Sequence, residues 1–183
     1  IYLPTYADLC RYTESSNFNF LYTGKIYANR SIENMLKAFE KFHKKYPESN
    51  FIFVGTNLSK SQLAFITPSI KDNVKIFEFT TDLSHFYKDA TVLVDIDAQL
   101  DNDVFLSSKV IKYLSINRII LCETGKNSPS RKLFNGIDSI IQCGHDVEEL
   151  YEGMLSCIQK NNNIDFSDRT SVLELFDAKK IAF

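Results

Sequence analysis

Residues 18–55 read FNFLYTGKIYANRSIENMLKAFEKFHKKYPESNFIFVG. Two short apolar runs, 18–23 and 51–55, flank a segment in which apolar side chains recur every three or four residues. That spacing places them on one face of an α-helix, which we predict over 31–46. Ser31 can cap its start, and Pro47 stops it. The stretch therefore predicts a strand, a helix and a second strand.

The same alternation continues along the chain. Further apolar runs lie at 74–79, 91–96, 118–122 and 139–143, and helical patterns lie at 59–66, 82–88, 107–115, 146–159 and, in a final segment, 167–182. Several runs are almost continuously apolar, which is typical of parallel strands covered by helices on both faces. We predict an α/β fold, a Rossmann-like doubly wound parallel sheet of six strands in a single domain, with strand order 3-2-1-4-5-6.

The composition is that of an ordinary soluble globular protein. The chain has 183 residues, 44% of them hydrophobic and 24% charged, with a net charge of −2. This balance gives no general attraction to nucleic acid, so we expect no nucleic-acid partner. No apolar run approaches the roughly 20 residues that cross a bilayer, and no signal peptide is present, so we expect a cytoplasmic protein. Because the chain begins with Ile1, we expect it to be part of a larger protein.

Cysteine and histidine residues give no sign of a metal site. The spacing of Cys10, Cys122, Cys143 and Cys157 fits neither a zinc site nor a disulfide framework, so we expect free, buried thiols. The histidines are far apart in sequence, and we interpret them as structural or surface residues. We therefore predict no metal and no cofactor.

Two loops follow the strands at which the predicted strand order reverses, the place where doubly wound sheets bind ligands. The first loop, 24–30, contains a glycine and two cations: Gly24 lets the backbone approach a ligand closely, and Lys25 and Arg30 carry positive charge. The second loop, 97–109, leads directly into a helix.

That helix carries lysines in its first turns, where the macrodipole favours negative charge. Ser107 or Ser108 can cap it, which leaves the backbone N–H groups of Lys109 and Val110 free for an anion. A bound diphosphate would account for Lys109 and Lys112 at this end. The sequence therefore predicts an anion site between the two loops.

Simpler interpretations remain open. Lys109 can pair with Asp101 or Asp103, and Arg30 can pair with Glu33. The acidic residues 95–103 have no rigid spacing that would indicate a metal site. The sequence also lacks G-x-G-x-x-G, the NTPase phosphate-binding loop and the G-x-S-x-G elbow, which argues against dinucleotide enzymes, such NTPases and ordinary α/β-hydrolases.

Two segments resemble a known family. FLYTGKIYANRSIENMLKAF and SSKVIKYLSINRIILC are similar to the carboxyl-terminal, nucleotide-sugar-binding domain of retaining, group-1 glycosyltransferases with the GT-B fold. The second segment resembles the family pattern P-S-K-x-x-E-Y-L-A-x-G-K-P-V-L. The resemblance covers about residues 18–160. It implies an interdomain linker at 1–17, a donor-binding domain at 18–160, and a carboxyl-terminal tail with a terminal helix at 161–183.

The resemblance implies a transferase that moves a sugar from a nucleotide donor to an acceptor glycan or lipid-linked sugar, in polysaccharide or surface-glycan synthesis. It implies an amino-terminal domain of the same protein as a partner, without which the fragment is inactive, and it is compatible with peripheral membrane association of the full-length protein. By position, it implies catalytic cations at Lys25, Arg30 and Lys109, and donor-binding residues at Gly24, Phe79, Thr80, Ser107, Ser108, Val110 and Lys112.

The chain departs from the family pattern at the ribose. Lys112 replaces the glutamate that contacts this sugar, and Asn117, Arg118 and Ile119 replace the Gly-Lys-Pro turn. The alternative function is therefore a degenerate, non-catalytic binding or scaffolding module of the same fold. The sequence does not show the set of carboxylates and histidines that a nucleotide-sugar epimerase needs. A flavodoxin-like regulator would need an acidic pocket with a paired lysine, which Asp95 and Lys109 match only loosely.

Overall fold

The computed structural model describes residues 18–27, 29–100, 102–161 and 164–177. They form a six-stranded sheet in the order β3-β2-β1-β4-β5-β6, and every neighbouring pair is parallel. The predicted doubly wound sheet and its strand order are confirmed. The strands are β1 (Asn19–Thr23), β2 (Asn50–Val54), β3 (Val74–Phe77), β4 (Val92–Ile96), β5 (Ile119–Glu123) and β6 (Ile140–Cys143).

Helices connect the strands and cover both faces of the sheet. They are α1 (Glu33–Lys45), α2 (Lys60–Leu63), α3 (Ser84–Asp89), α4 (Ser108–Tyr113), α5 (Pro129–Leu133), α6 (Val147–Lys160) and α7 (Thr170–Leu175), with a 3₁₀ turn at Phe166–Arg169. The two helices with the clearest apolar periodicity, α1 and α6, are also the longest, and their ends lie within two residues of the predicted ranges.

The short helices differ most from the predictions. Helices α2 and α4 are shorter than the ranges 59–66 and 107–115, and α5 is missing from the predictions. Five residues are too few to show helical periodicity, although Ser128 with Pro129 is a start signal that the sequence carried. Helix α7 covers only part of 167–182, and its predicted continuation over 178–183, like the linker at 1–17, lies outside the described residues.

The near-continuous apolarity of the strands has a simple cause. Side chains along a strand alternate between faces, and both faces of this sheet are buried. In β1, Phe20 and Tyr22 pack in the cluster that contains α1 and α6, whereas Leu21 packs in the opposite cluster with α3, α4 and α7. The polar residues of β1, Asn19 and Thr23, therefore lie at its two ends.

The cysteines of this part of the chain are free and buried, as predicted: Cys122, Cys143 and Cys157. Burial raises the pKa of the Cys143 thiol to about 12, so it stays neutral. Cys10 lies outside the described residues. None of the described helices combines the length and the apolar character that crossing a membrane requires.

A buried arginine fastens residues 166–177 to the sheet. The Arg169 side chain is 1% exposed. Its guanidinium donates hydrogen bonds to the carbonyl oxygens of Ile116 (3.1 Å), Arg118 (2.9 Å) and Ser139 (3.2 Å). Burial lowers its pKa to about 10, so it remains charged at neutral pH. Because charge-assisted hydrogen bonds are the strong ones, this contact holds the last described segment in place.

Helix α6 approaches β6 closely at Gly153. A Cβ atom at this position would lie 2.3 Å from Cys143 Sγ and 3.0 Å from Leu121 Cδ1. Both distances are shorter than ordinary contacts, so the helix packs at this separation only with glycine. Glycine weakens a helix interior by up to about 1 kcal/mol relative to alanine. The close packing offsets this loss.

We expect Gly153→Ala to destabilise the fold despite its better helix propensity, by about 1–3 kcal/mol, as overpacked cores do. Urea denaturation of the 183-residue chain measures the free energy of unfolding. Adding Cys143→Ala removes the nearest clash and should recover part of the loss. Gln159→Ala, at an exposed position of the same helix, is the matched control. A Gly153→Ala variant as stable as the wild type would contradict this account of the α6 packing.

Candidate functional site

The candidate site lies where the strand order reverses. Strands β1 and β4 are neighbours, and their carboxyl ends carry the two loops singled out in the sequence. A cavity of about 640 Å³ opens between these loops. Its walls include the predicted residues Gly24, Lys25, Arg30, Ser107, Ser108, Lys109 and Lys112. The structure thus brings together two groups of residues that are about eighty positions apart in sequence.

The other predicted residues lie elsewhere. Phe79 and Thr80 follow β3, which β2 and β1 separate from β4, and they do not line this cavity. The Phe79 ring is 79% exposed and lies against Gly55, whose φ of +71° suits glycine. The Val110 side chain is fully buried in the core. The contact predicted for Val110 is between its backbone N–H group and an anion, and it stays a prediction.

Gly24 provides the turn that opens the first loop. Its φ is +96°, a left-handed conformation that other residues adopt at a cost. Its N–H donates to the Val54 carbonyl oxygen at 2.8 Å, and its own carbonyl oxygen accepts from Thr56 Oγ1. A Cβ at this position would lie 3.7 Å from Lys109 Cε, an ordinary contact distance. Glycine is therefore needed here for its backbone conformation, and this turn lies directly against Lys109.

Arg30 faces into the site rather than along its own helix. Its guanidinium lies 3.5 Å from Asp97 Oδ1 and stacks over the Tyr27 ring, 4.8 Å from the ring centroid. Glu33, the partner that the simpler interpretation assigned to Arg30, instead accepts a hydrogen bond from Lys37 at 2.7 Å. That interpretation is wrong because Glu33 and Lys37 are i,i+4 neighbours on the surface of α1.

Lys109 reaches back from α4 to the strand ends. Its ammonium lies 3.7 Å from Asp95 Oδ1 and 3.6 Å from the centroid of the Tyr22 ring. Its side chain is only 16% exposed. Burial lowers the pKa of Lys109 to about 8, although the Asp95 carboxylate acts in the opposite direction.

The partner suggested from sequence for Lys109 was different. Asp103 is occupied elsewhere, since its Oδ1 accepts a hydrogen bond from the Phe105 N–H at 3.0 Å. Asp101 lies outside the described residues. Asp95 lies inside a strand and fourteen positions before Lys109, and the sequence pairs the two only in the flavodoxin-like alternative.

Ser107 occupies the N-cap position of α4 but does not cap it through its side chain. Its hydroxyl donates to Asp95 Oδ1 at 2.8 Å and accepts no hydrogen bond from the helix. The predicted side-chain cap is therefore wrong for Ser107. Helix α4 also has only six residues, so its dipole contributes little. Lys109 therefore owes its place to Asp95 and Tyr22, and the site takes its positive charge from side chains.

Two lysines at the mouth of the cavity remain without such partners. Lys25 and Lys112 are exposed, and within the described ranges neither forms a salt bridge. The Lys112 ammonium lies 5.9 Å from the centroid of the Tyr87 ring. These two side chains are available to a ligand without breaking an ion pair.

Three carboxylates lie beneath the cavity, and all are buried: Asp95 (4% exposed), Asp97 (2%) and Asp103 (4%). Burial, followed by the neighbouring Asp95 charge, raises the pKa of Asp97 to about 7. Across the part of the chain that the structure describes, no group of three or more acidic, histidine or cysteine residues has the arrangement of a metal site.

Several lining residues were not predicted as site residues. Tyr27, Asn29, Leu100 and Phe105 line the cavity, and Tyr22 supplies the ring beneath Lys109. Tyr22 belongs to an apolar run, a pattern that indicates core and nothing more. A second cavity of about 880 Å³ adjoins the first along Phe105, Leu106 and Ser108, and its walls are mostly apolar.

The buried Asp97 makes stability depend on pH. Its pKa is raised above the value of an unfolded aspartate, about 3.9, so the folded state holds a proton that the unfolded state has lost. Stability should therefore fall as pH rises from about 4 to about 7. In Asp97→Asn this dependence should disappear, so the variant gains stability relative to the wild type between pH 5 and pH 8. Urea denaturation at both pH values checks this, with Asp82→Asn on the surface as the control. If the free energy of unfolding changes between pH 5 and pH 8 by the same amount in Asp97→Asn as in the wild type, the prediction is contradicted.

Comparisons with known proteins place this fold. No protein-family model and no curated protein matches the sequence. Among solved structures, Anabaena HepE in complex with UDP and glucose is 14% identical, with a TM-score of 0.73 over 90% of this chain and 46% of its own. A variant of S. aureus TarM in complex with Fondaparinux, alpha-GlcNAc-glycerol and UDP is 14% identical, with a TM-score of 0.69 over 94% of this chain and 36% of its own.

A third structure is itself a single domain. The C-terminal domain of the group 1 glycosyl transferase LpcC from Francisella tularensis is 12% identical, with a TM-score of 0.58 over 86% of this chain and 80% of its own. The present chain spans less than half the length of the HepE and TarM chains. The fold that the sequence resemblance implied is confirmed: the chain has the fold of the carboxyl-terminal domain of group-1, GT-B glycosyltransferases.

Proposed function

We propose that this chain is the donor-binding domain of a glycosyltransferase and that its cavity binds the diphosphate of a nucleotide sugar. The observation that carries the proposal is the set of basic side chains on both walls of one cavity: Lys25, Arg30, Lys109 and Lys112. Each diphosphate oxygen can accept a charge-assisted hydrogen bond from such groups.

The charges beneath the cavity are compatible with an anionic ligand. The four cations exceed the carboxylates of Asp95, Asp97 and Asp103 by one positive charge when all three are ionised. The raised pKa of Asp97, about 7, leaves that carboxyl partly protonated at neutral pH and increases the excess. In a partly desolvated cavity such an excess attracts a diphosphate more strongly than it would in water.

In the proposed reaction, the bond between the sugar's anomeric carbon and the diphosphate oxygen breaks. The electron pair goes to that oxygen, the acceptor hydroxyl oxygen bonds to the carbon, and the hydroxyl proton passes to water. Negative charge then builds up on the leaving nucleotide diphosphate. The cations that would offset this charge are Lys25, Arg30 and Lys109. Such electrostatic stabilisation of the transition state is usually the largest single contribution to catalysis.

The remaining donor contacts follow from position. The residues next to the cations in sequence would hold the diphosphate through their backbone N–H and hydroxyl groups. They are Gly24, Ser107, Ser108 and Val110. The backbone near Phe79 and Thr80, beyond the end of β3, would meet the base. The solved structures of HepE with UDP and glucose and of the TarM variant with UDP support a UDP-sugar as the first donor to test.

The rest of the proposal concerns the larger protein. The acceptor would be a glycan or a lipid-linked sugar in polysaccharide or surface-glycan synthesis, at the cytoplasmic side. An amino-terminal domain would supply the acceptor site. Since this chain spans under half of HepE and TarM, we propose that it has no transferase activity alone.

One observation favours the second candidate, a non-catalytic binding module. Lys112 is exposed at the cavity wall, at the position where the family pattern has the glutamate that contacts ribose. An ammonium donates hydrogen bonds but accepts none, so it cannot replace a carboxylate that accepts from both ribose hydroxyls. Donor binding would then rest on the diphosphate more than on the nucleoside.

We expect calorimetric titration with UDP and GDP to show binding in the millimolar range or tighter. Lys25→Ala and Lys109→Ala should each weaken UDP binding about tenfold or more, because each removes a charged hydrogen-bond donor. Lys45→Ala is the matched control, since this exposed lysine ends α1 at the opposite edge of the sheet. Absence of binding to either nucleotide at millimolar concentration would refute the donor-binding proposal.

Lys112→Glu separates the two candidate functions. The carboxylate can accept hydrogen bonds from ribose, so UDP binding should tighten, while inorganic pyrophosphate, which has no ribose, should bind more weakly. In the full-length protein, a gain in sugar transfer by Lys112→Glu would favour a weakened enzyme. If UDP and pyrophosphate binding weaken together and transfer does not change, the non-catalytic module is favoured.

A further inference from the structure

Asp95 is a buried carboxylate at the floor of the candidate site and the penultimate residue of β4, just before the loop. Its Oδ1 atom serves two groups: the Ser107 hydroxyl donates to it at 2.8 Å, and the Lys109 ammonium lies 3.7 Å away. We propose that Asp95 is a positioning residue that keeps Lys109 charged and holds its ammonium at the diphosphate cavity. This inference rests on the proposed function.

Lys109 needs a counter-charge because it is mostly buried. With 16% of its side chain exposed, the ammonium has lost most of its hydration, which disfavours the charged form. Among the described residues, Asp95 is the only carboxylate that places an oxygen within 4 Å of this ammonium. Removal of that charge leaves a buried cation with little compensation.

The other groups around Lys109 do not replace Asp95. The Tyr22 ring on β1 offers a π face at 3.6 Å, and burial raises the pKa of its phenol, so the phenol stays neutral. Arg30, from the first loop, is a second cation and lowers the pKa of Lys109. Asp97 raises that pKa, but it acts less than Asp95 and is paired with Arg30 at 3.5 Å.

The Ser107 contact makes a clean test available. The hydroxyl fixes the orientation of the Asp95 carboxylate, and in Asp95→Asn the amide oxygen still accepts the same hydrogen bond. The substitution keeps the shape and the Ser107 contact and removes only the charge. Asp97→Asn is the matched control, because it changes an equally buried carboxyl two residues along the chain that pairs with Arg30 and not with Lys109.

The experiment has two readouts on the 183-residue chain. NMR titration of isotope-labelled lysine, with Lys109→Arg to assign the signal, gives the protonation midpoint of Lys109 without ligand. Calorimetry from pH 6 to pH 9 gives the UDP affinity. In Asp95→Asn we expect the Lys109 midpoint to fall by about one pH unit or more, and UDP binding to be lost at correspondingly lower pH. Asp97→Asn should shift the midpoint less.

A double variant tests the mechanism and remains informative if Asp95→Asn folds poorly. Arginine keeps its charge throughout this pH range. The pH profile of UDP affinity in Lys109→Arg is then set by Asp97 and by the terminal phosphate of UDP, and adding Asp95→Asn should leave that profile unchanged. A Lys109 midpoint that stays at the wild-type value in Asp95→Asn, or a double variant whose pH profile differs from that of Lys109→Arg alone, would overturn the role of Asp95.

The outcomes separate this inference from the function on which it rests. If the wild-type chain fails to bind UDP, the proposed function is overturned together with the role of Asp95 at a diphosphate site. If the wild type binds UDP and Asp95→Asn binds it equally or more tightly at every pH, only the role of Asp95 is overturned. Asp95 would then merely compete with the ligand for the lysine.

Discussion

Burial of a parallel sheet on both faces is the constraint on which this structure depends. The four inner strands β2, β1, β4 and β5 lie between two layers of helices with almost every residue buried, whereas the edge strand β3 exposes three of its four residues. Each connection must cross back over the sheet, so all strands point the same way and all their carboxyl ends lie at one edge. Polar chemistry is therefore confined to that edge, to the loops and to the helix ends.

The candidate site uses this constraint at one point. Between β1 and β4 the connections run in opposite directions, so the loops diverge and leave a cavity. The loop after β1 brings Lys25 and Arg30 to one wall, and the loop after β4 brings Lys109 to the other. The four cations exceed the three buried carboxylates by one positive charge, and Arg30 and Lys109 are held by partners while Lys25 and Lys112 remain open to a ligand.

Lysine in the first turn of a short helix is explained by tertiary contacts. In the sequence, Lys109 lies in the first turn of a helix, where the helix dipole disfavours a positive charge, and this predicts a bound anion. In the structure, its side chain turns away from the helix axis to Asp95 and Tyr22, which compensate its charge. A diphosphate would therefore meet a lysine that is already positioned and partly desolvated, and less reorganisation is needed when the charge of the leaving group develops.

The sequence by itself determined the fold class, the strand order and the two loops of the site, because apolar periodicity and strand–helix alternation follow from burial alone. It also identified most of the cavity's charged side chains, since cations beside a glycine turn or at a helix start stand out locally. It missed α5, whose five residues show no period, and it overestimated the lengths of α2 and α4.

Only the tertiary structure decided which groups pair. Asp95 and Tyr22 lie within apolar strands, where sequence indicates core, and their contact with Lys109 arises because β1 and β4 are neighbours. Proximity in sequence suggests Glu33 as the partner of Arg30, but in the structure Arg30 pairs with Asp97 and Glu33 pairs with Lys37. Charges act through space over a few ångströms, and distance along the chain does not specify distance across a sheet.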